Sequence, residues 1–143
     1  MHRKLIAALA LCGTLTATSF GQQPEDLLKP IQTFFAGIAA RNAAQMREPF
    51  QPNAQLLFMR ETGPSQSSIE QFSDRLATSG TTKMEESLHD PVIQVKNDLG
   101  MVWAPTVFKI DGKIDHCAID HFVLVKQNGK WLITSFYNTR AAC

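Results

Sequence analysis

Residues 101–139 read MVWAPTVFKIDGKIDHCAIDHFVLVKQNGKWLITSFYNT, three runs rich in β-branched and aromatic side chains separated by Asp111-Gly112 and Asn128-Gly129. Asp-Gly and Asn-Gly suit two-residue hairpin turns, because both central positions of a type I′ turn need a positive φ. The stretch predicts antiparallel strands at about 101–110, 114–126 and 130–139. Shorter runs at about 82–88 and 92–97, bounded by His89-Asp90-Pro91 and by Asp98 to Gly100, extend the meander upstream.

Ahead of Thr81 the period changes. Leu27, Leu28, Ile31, Phe34, Phe35 and Ile38 recur at helical spacing between Pro24 and Ala44, which predicts an amphipathic helix with one buried face. Pro30 fits only near its first turn. Asn42 offers an N-cap for a short second helix through Met46, closed by Pro49 and Pro52, and a strand follows at about Gln55 to Glu61. The segment ETGPSQSS, residues 61–68, reads as turn chemistry. Ser67 with Glu70 makes a capping box for a third helix carrying Ile69, Phe72 and Leu76, which Gly80 ends. Helices first and an antiparallel meander afterwards imply an α+β domain.

Length and composition agree with that reading. A chain of 143 residues, 44% hydrophobic, suits one domain with a real core. The net charge of +1 comes without a Lys/Arg run, so the sequence has no electrostatic footprint for nucleic acid or an anionic membrane. Residues 1–21 have the layout of a secretory signal peptide: a basic start at His2, Arg3 and Lys4, an apolar run from Leu5 to Leu15, and small residues Ser19 and Gly21 before the expected cleavage. The run is too short for a permanent membrane anchor, which takes about 20 apolar residues. Cys12 raises lipidation as an alternative, although Leu11 rather than a small residue precedes it. The expected mature domain, residues 22–143, keeps 12 basic against 13 acidic residues and is exported, periplasmic or secreted. Its cysteines, Cys117 and Cys143, could be free, bridged within the chain or bridged between chains.

Two stretches carry a family resemblance. IQTFFAGIAARNAAQMREPFQPNAQLLF, residues 31–58, resembles the opening of nuclear transport factor 2-like proteins, and residues 104–139 resemble the closing hairpins of their exported bacterial members of unknown function, a lumazine-binding-like and polyketide-cyclase-like group. The resemblance covers nearly all of residues 22–143. It implies a cystatin-like cone, a curved antiparallel sheet closed by three N-terminal helices, with a cavity for a small apolar ligand and homodimers through the outer sheet face. The superfamily includes ketosteroid isomerases, scytalone dehydratase, limonene epoxide hydrolase, polyketide cyclases and proteins with no known catalysis, so fold does not select function.

Uninterrupted two-residue hairpins would set Trp103 opposite Asp120 and Val107 opposite His116, then Asp120 opposite Tyr137 and Phe122 opposite Ser135. One sheet face then gathers Trp103, Val107, His116, Asp120, Phe122, Trp131 and Tyr137, and the resemblance assigns that face to the cavity. Trp103, Val107, His116, Asp120, Phe122 and Tyr137, roofed by Phe34 and Phe35, are the expected ligand-binding residues. The opposite face, with Cys117, Ile119, His121, Val123 and Phe136, would lie outside.

Asp120 and His116 share one strand face, with Ala118 between them. A desolvated Asp120 could serve as general acid or base, with His116 or Tyr137 donating to a developing oxyanion. That is the catalytic alternative, an isomerase, dehydratase or cyclase. The leading reading is a binding protein for a small apolar or aromatic ligand, and the third a dimerisation module with a filled core. A cavity of about 300 Å³ or more lined by Asp120 would favour binding or catalysis over the module. Asp120, His116 and Tyr137 could equally be a satisfied structural network. No cofactor motif occurs, and His89, His116, His121 and Cys117 lack zinc spacing and do not share a face, so no metal is expected. The expected partners are a small molecule and a second copy of the chain, with no nucleic acid and no membrane beyond the signal peptide.

Overall fold

The computed structural model of the protein describes residues 24–143; the expected signal peptide and Cys12 lie outside the described residues. A 3-10 turn, Pro24–Leu27, leads into α1, Leu28–Ala40, which buries Ile31, Phe34, Phe35 and Ile38. Pro30 is the third residue of α1, where an amide has no intrahelical partner to lose. Arg41 ends the helix at φ 51°. Its guanidinium donates to Thr82 O, Leu76 O and Ser79 Oγ, clasping the end of the third helix to the first sheet run that follows it.

The Asn42 side chain accepts from Gln45 N and caps α2, Ala43–Arg47, as its position predicts. α1 and α2 meet at Gly37, where a Cβ would lie 2.6 Å from Met46 N. Only a glycine admits the second helix this close.

β1, Phe50–Arg60, is longer than expected, and β2, Gly63–Ser68, occupies most of the segment read as turn. Only Glu61 and Thr62 lie outside strand there, and the polar run after them pairs with β1 from Arg60–Gly63 to Gln55–Ser68. A strand of Gly, Pro, Ser and Gln carries no strand signal in its composition; its pairing with β1 makes it one. The capping box sits one residue later than expected, Ser68 with Gln71, at the start of α3, Ile69–Thr78. Glu70 is left to accept from Asn53 N at 3.0 Å, across a bend where Asn53 has φ 61°.

The remaining strands are β3, Met84–Leu88; β4, Val92–Lys96; β5, Leu99–Ile110; β6, Lys113–Gln127; and β7, Lys130–Ala141. The sheet order is β2-β1-β7-β6-β5-β3, with β4 also on β5. Every pairing is antiparallel except β1 with β7, so the sheet is mixed rather than wholly antiparallel. β3 and β4 follow one another along the same edge of β5. Pro105 faces the break between them: its carbonyl accepts from His89 N, and the N–H it lacks would have pointed the same way, away from β6.

The turns at Asp111-Gly112 and Asn128-Gly129 form as expected, all four residues at positive φ. Each hairpin then contains a β-bulge. Ile110 pairs with Lys113 and Lys109 with Ile114, but Phe108 pairs with His116, leaving Asp115 as the extra residue. Leu124 pairs with Ile133, but Val123 pairs with Ser135, leaving Thr134, whose hydroxyl donates to Val123 O. One extra residue moves every pair beyond it by one and exchanges the two faces of the partner strand. The expected pairings are therefore corrected: Trp103 lies opposite His121, Val107 opposite Cys117, Asp120 opposite Asn138, Phe122 opposite Phe136, and Tyr137 opposite His121.

Cys117 and Cys143 form a disulfide within the chain, which ties the C-terminus to β6. The helices cover the inner sheet face over a core of Leu27, Ile31, Phe34, Met46, Leu56, Val102, Phe122, Leu124 and Ile133.

Candidate functional site

A cavity of about 180 Å³ lies between the helices and the wide part of the sheet. Its walls are mostly phenylalanine: Phe34 from α1, Phe58 from β1, Phe72 from α3, Phe108 from β5 and Phe136 from β7, with Ile38 and Leu76 between them. Phe72 stacks on Phe58 at 5.6 Å, and Phe136 stands edge-on to both Phe58 and Phe34 at 5.7 and 5.8 Å. Such edge and stacked pairs hold one another in place, so the wall is rigid before anything binds. Four polar residues interrupt it: Glu86 from β3, His116 from β6, Asn138 from β7 and Arg60 from β1. Arg60 is exposed, its guanidinium 5.1 Å from the centre of the Phe58 ring. His116 packs on Phe108, and its Nδ1 is 2.6 Å from Asp115 Oδ2.

Asp120 is fully buried one layer behind this surface. Asn138 Nδ2 donates to its Oδ1 at 2.6 Å. Its Oδ2 has no hydrogen bond of ordinary geometry, and neither has the hydroxyl of Thr106, which is 1% exposed. Glu86 and Thr106 nevertheless lie close enough to act on the Asp120 charge. Burial pushes the Asp120 carboxyl from 3.8 up to about 7, against the opposing pull of Asn138, Glu86 and Thr106. Glu86 is pushed well above the usual carboxylate range, first by burial of its carboxyl and then by the Asp120 charge. The residue as a whole is only half-buried, because it also borders an open groove between α1 and β3; the carboxyl end is what the cavity encloses. Two such acids titrate as a unit, and each holds its proton to higher pH than an exposed carboxyl would.

The bulges sort the expected site residues. Phe34 and His116 line the cavity, and Asp120 and Phe122 lie on the same face beneath it, Phe122 stacked on Phe136 at 4.6 Å. Phe35 is buried against Phe122 and borders the α1–β3 groove instead. Trp103 and Tyr137 are 45% and 41% exposed on the outer face, where Tyr137 stacks on His121 at 5.9 Å, and Val107 shares that face. The trio of Asp120, His116 and Tyr137 is thus not assembled, since Tyr137 points to the other side of the sheet.

Glu86, Asn138, Thr106 and four of the wall phenylalanines escaped sequence reasoning. Glu86 carried a usable signal, an acid between Met84 and Leu88 on the inward phase of a strand. Asn138 could be placed only once the bulge at Thr134 was known.

The family model described as "Putative lumazine-binding" matches residues 22–137. No curated protein matches the chain in sequence. Among solved structures, an NTF2-like protein of unknown function from Shewanella baltica is 14% identical with a TM-score of 0.67, over 89% of this chain and 100% of that one. An NTF2-like protein from Cytophaga hutchinsonii is 14% identical with a TM-score of 0.71, over 85% and 100%. A nuclear transport factor 2-like superfamily protein from Salmonella enterica is 16% identical with a TM-score of 0.68, over 84% and 92%. At these identities the structures share the fold alone, while the family model spans most of the sequence. The chain belongs to this lumazine-binding-like family, and its fold is that of the nuclear transport factor 2-like proteins.

Proposed function

We propose that the protein binds a small aromatic molecule in the phenylalanine-walled cavity, its polar end against Glu86 and Asn138. The observation that carries this reading is the combination of an apolar cavity with a buried, incompletely hydrogen-bonded acid behind it. Fold stability alone gives no reason to bury two carboxyls together, since an unsatisfied buried acid costs about 1–3 kcal/mol or more. The family name points to ligand binding as well. At about 180 Å³, with Asp120 behind its wall rather than in it, the cavity falls short of the Asp120-lined cavity of about 300 Å³ that would favour binding over the filled-core module. The reading therefore rests on the buried acid and not on cavity size. The cavity suits one six-membered ring with a short substituent, given that a cavity of roughly 150 Å³ accepts benzene. A substituted bicyclic ring such as a ribityl lumazine would require the cone to open.

The same reading places the protein outside the cytoplasm as a homodimer. The Cys117–Cys143 bridge supports a disulfide-permitting compartment. The aromatic and apolar outer face, with Trp103, Tyr137 and Met59 exposed, supports cover by a second copy.

Native mass spectrometry of protein purified from its exported location tests the binding reading. The expected result is an adduct of roughly 100–200 Da that disappears on denaturation and is absent from Leu76→Phe, which fills the cavity. An adduct equally abundant in Leu76→Phe, or no binding by the wild type across a panel of single-ring compounds, would sink it.

A further inference from the structure

We propose that the cavity selects a small organic cation, an aryl-alkyl ammonium ion, with its ammonium on Glu86 and its ring against the phenylalanine wall. The assignment rests on the cavity being a binding site and names its ligand class. Three observations lead to it. Glu86 and Asp120 face one another inside an apolar shell, and among the described residues neither forms an ion pair. Behind the cavity wall, Asp120 Oδ2 and Thr106 Oγ1, 0% and 1% exposed as residues, both lack a partner, so the buried polar layer next to Glu86 is incompletely hydrogen-bonded. The rest of the wall presents aromatic rings, whose faces attract cations.

The neighbouring cationic groups do not already fill this role. Arg60 sits at the exposed end over Phe58, where solvent screens it. His116 has its Nδ1 committed to Asp115. An ammonium has three donors and no acceptor, which suits the Glu86 carboxyl that lines the cavity. A neutral alcohol brings one donor and leaves the carboxyl pair holding its proton. An ammonium instead replaces that proton: the cation enters, the proton leaves Glu86 for solvent, and the buried charge stays balanced. Binding of the cation therefore releases protons, whereas binding of a neutral isostere does not.

Benzylammonium and benzyl alcohol are isosteric probes small enough for the cavity. Titration calorimetry at pH 7 in two buffers of different ionisation enthalpy measures affinity and proton release together. The expected result is benzylammonium binding at least about tenfold tighter, a difference of about 1.4 kcal/mol, with proton release seen only for the amine. Glu86→Gln should lose that preference, binding the amine no tighter than the alcohol, and Asp120→Asn should weaken proton release. Benzyl alcohol binding as tightly as the amine, or amine binding without proton release, overturns the cation assignment and leaves the cavity reading standing. If neither probe binds the folded wild type, the cation assignment falls, and the panel of single-ring compounds decides the cavity reading.

Discussion

Asn138 on β7 lies directly opposite Asp120 on β6, and its side-chain amide donates to Asp120 Oδ1 at 2.6 Å in a fully buried cross-strand pair. This contact gives Asp120 its only ordinary hydrogen bond among the described side chains and fixes which oxygen is left facing Thr106 and Glu86. Asn138→Ala should cost about 1–3 kcal/mol, since the carboxyl then loses its donor while staying buried. Urea denaturation measures this. A change within about 0.5 kcal/mol would show that water replaces the amide without penalty.

Stability should rise as pH falls from 8 to 5. The folded-state value for Asp120 is raised, from 3.8 to about 7, so between these values the folded protein holds a proton that the unfolded chain has released. The contribution is complete below about 3.8 and lost as pH climbs through about 7, with a slope of at most about 1.4 kcal/mol per pH unit. Glu86, also raised, acts in the same direction. Glu70 is lowered, chiefly by the Asn53 amide, so its contribution fades only in stronger acid. The melting temperature of Asp120→Asn should vary less over the same range. A wild-type profile flat from pH 5 to 8 would contradict the buried acid pair.

Reducing the Cys117–Cys143 bridge should cost about 2–4 kcal/mol, because the unfolded chain regains the freedom of a loop closed across 26 residues. Thermal melts with and without reductant, beside the Cys117→Ser/Cys143→Ser variant, check this. Equal melting temperatures would mean that strand pairing alone holds the C-terminus.

Gly37→Ala should destabilise by about 1–3 kcal/mol through a clash of the new methyl with the Met46 backbone. Helix propensity alone would predict a gain of up to about 1 kcal/mol. The sign of the change therefore decides whether the α1–α2 contact governs.

Trp103→Asp should convert the proposed dimer into a folded monomer, since Trp103 stands 45% exposed on the outer face next to Met101, His121 and Tyr137. Sedimentation velocity reads the mass directly. A persistent dimer moves the interface off this face.

Much of the architecture was legible in local chemistry. Asn42, Gly80, Asp111-Gly112 and Asn128-Gly129 mark ends and turns through their own side chains or backbone freedom, and the spacing of Ile31, Phe34, Phe35 and Ile38 reports a buried helix face. β2 was not legible, because a Gly-Pro-Ser-Gln run becomes a strand only through the ladder that β1 offers it.

The sequence by itself determined the α+β class, the helices, the hairpin turns and the placing of His116, Asp120 and Phe122 together on one face of β6, while the family resemblance turned that face inward. These depend on periodicity and turn chemistry within a few residues. Which side chains join Asp120 was decided only by tertiary structure. The bulges at Asp115 and Thr134 each insert one residue between turn and site, and in a period of two a single residue sends Trp103 and Tyr137 outward and Phe136 and Asn138 inward. Neither bulge residue is a glycine or proline that announces itself.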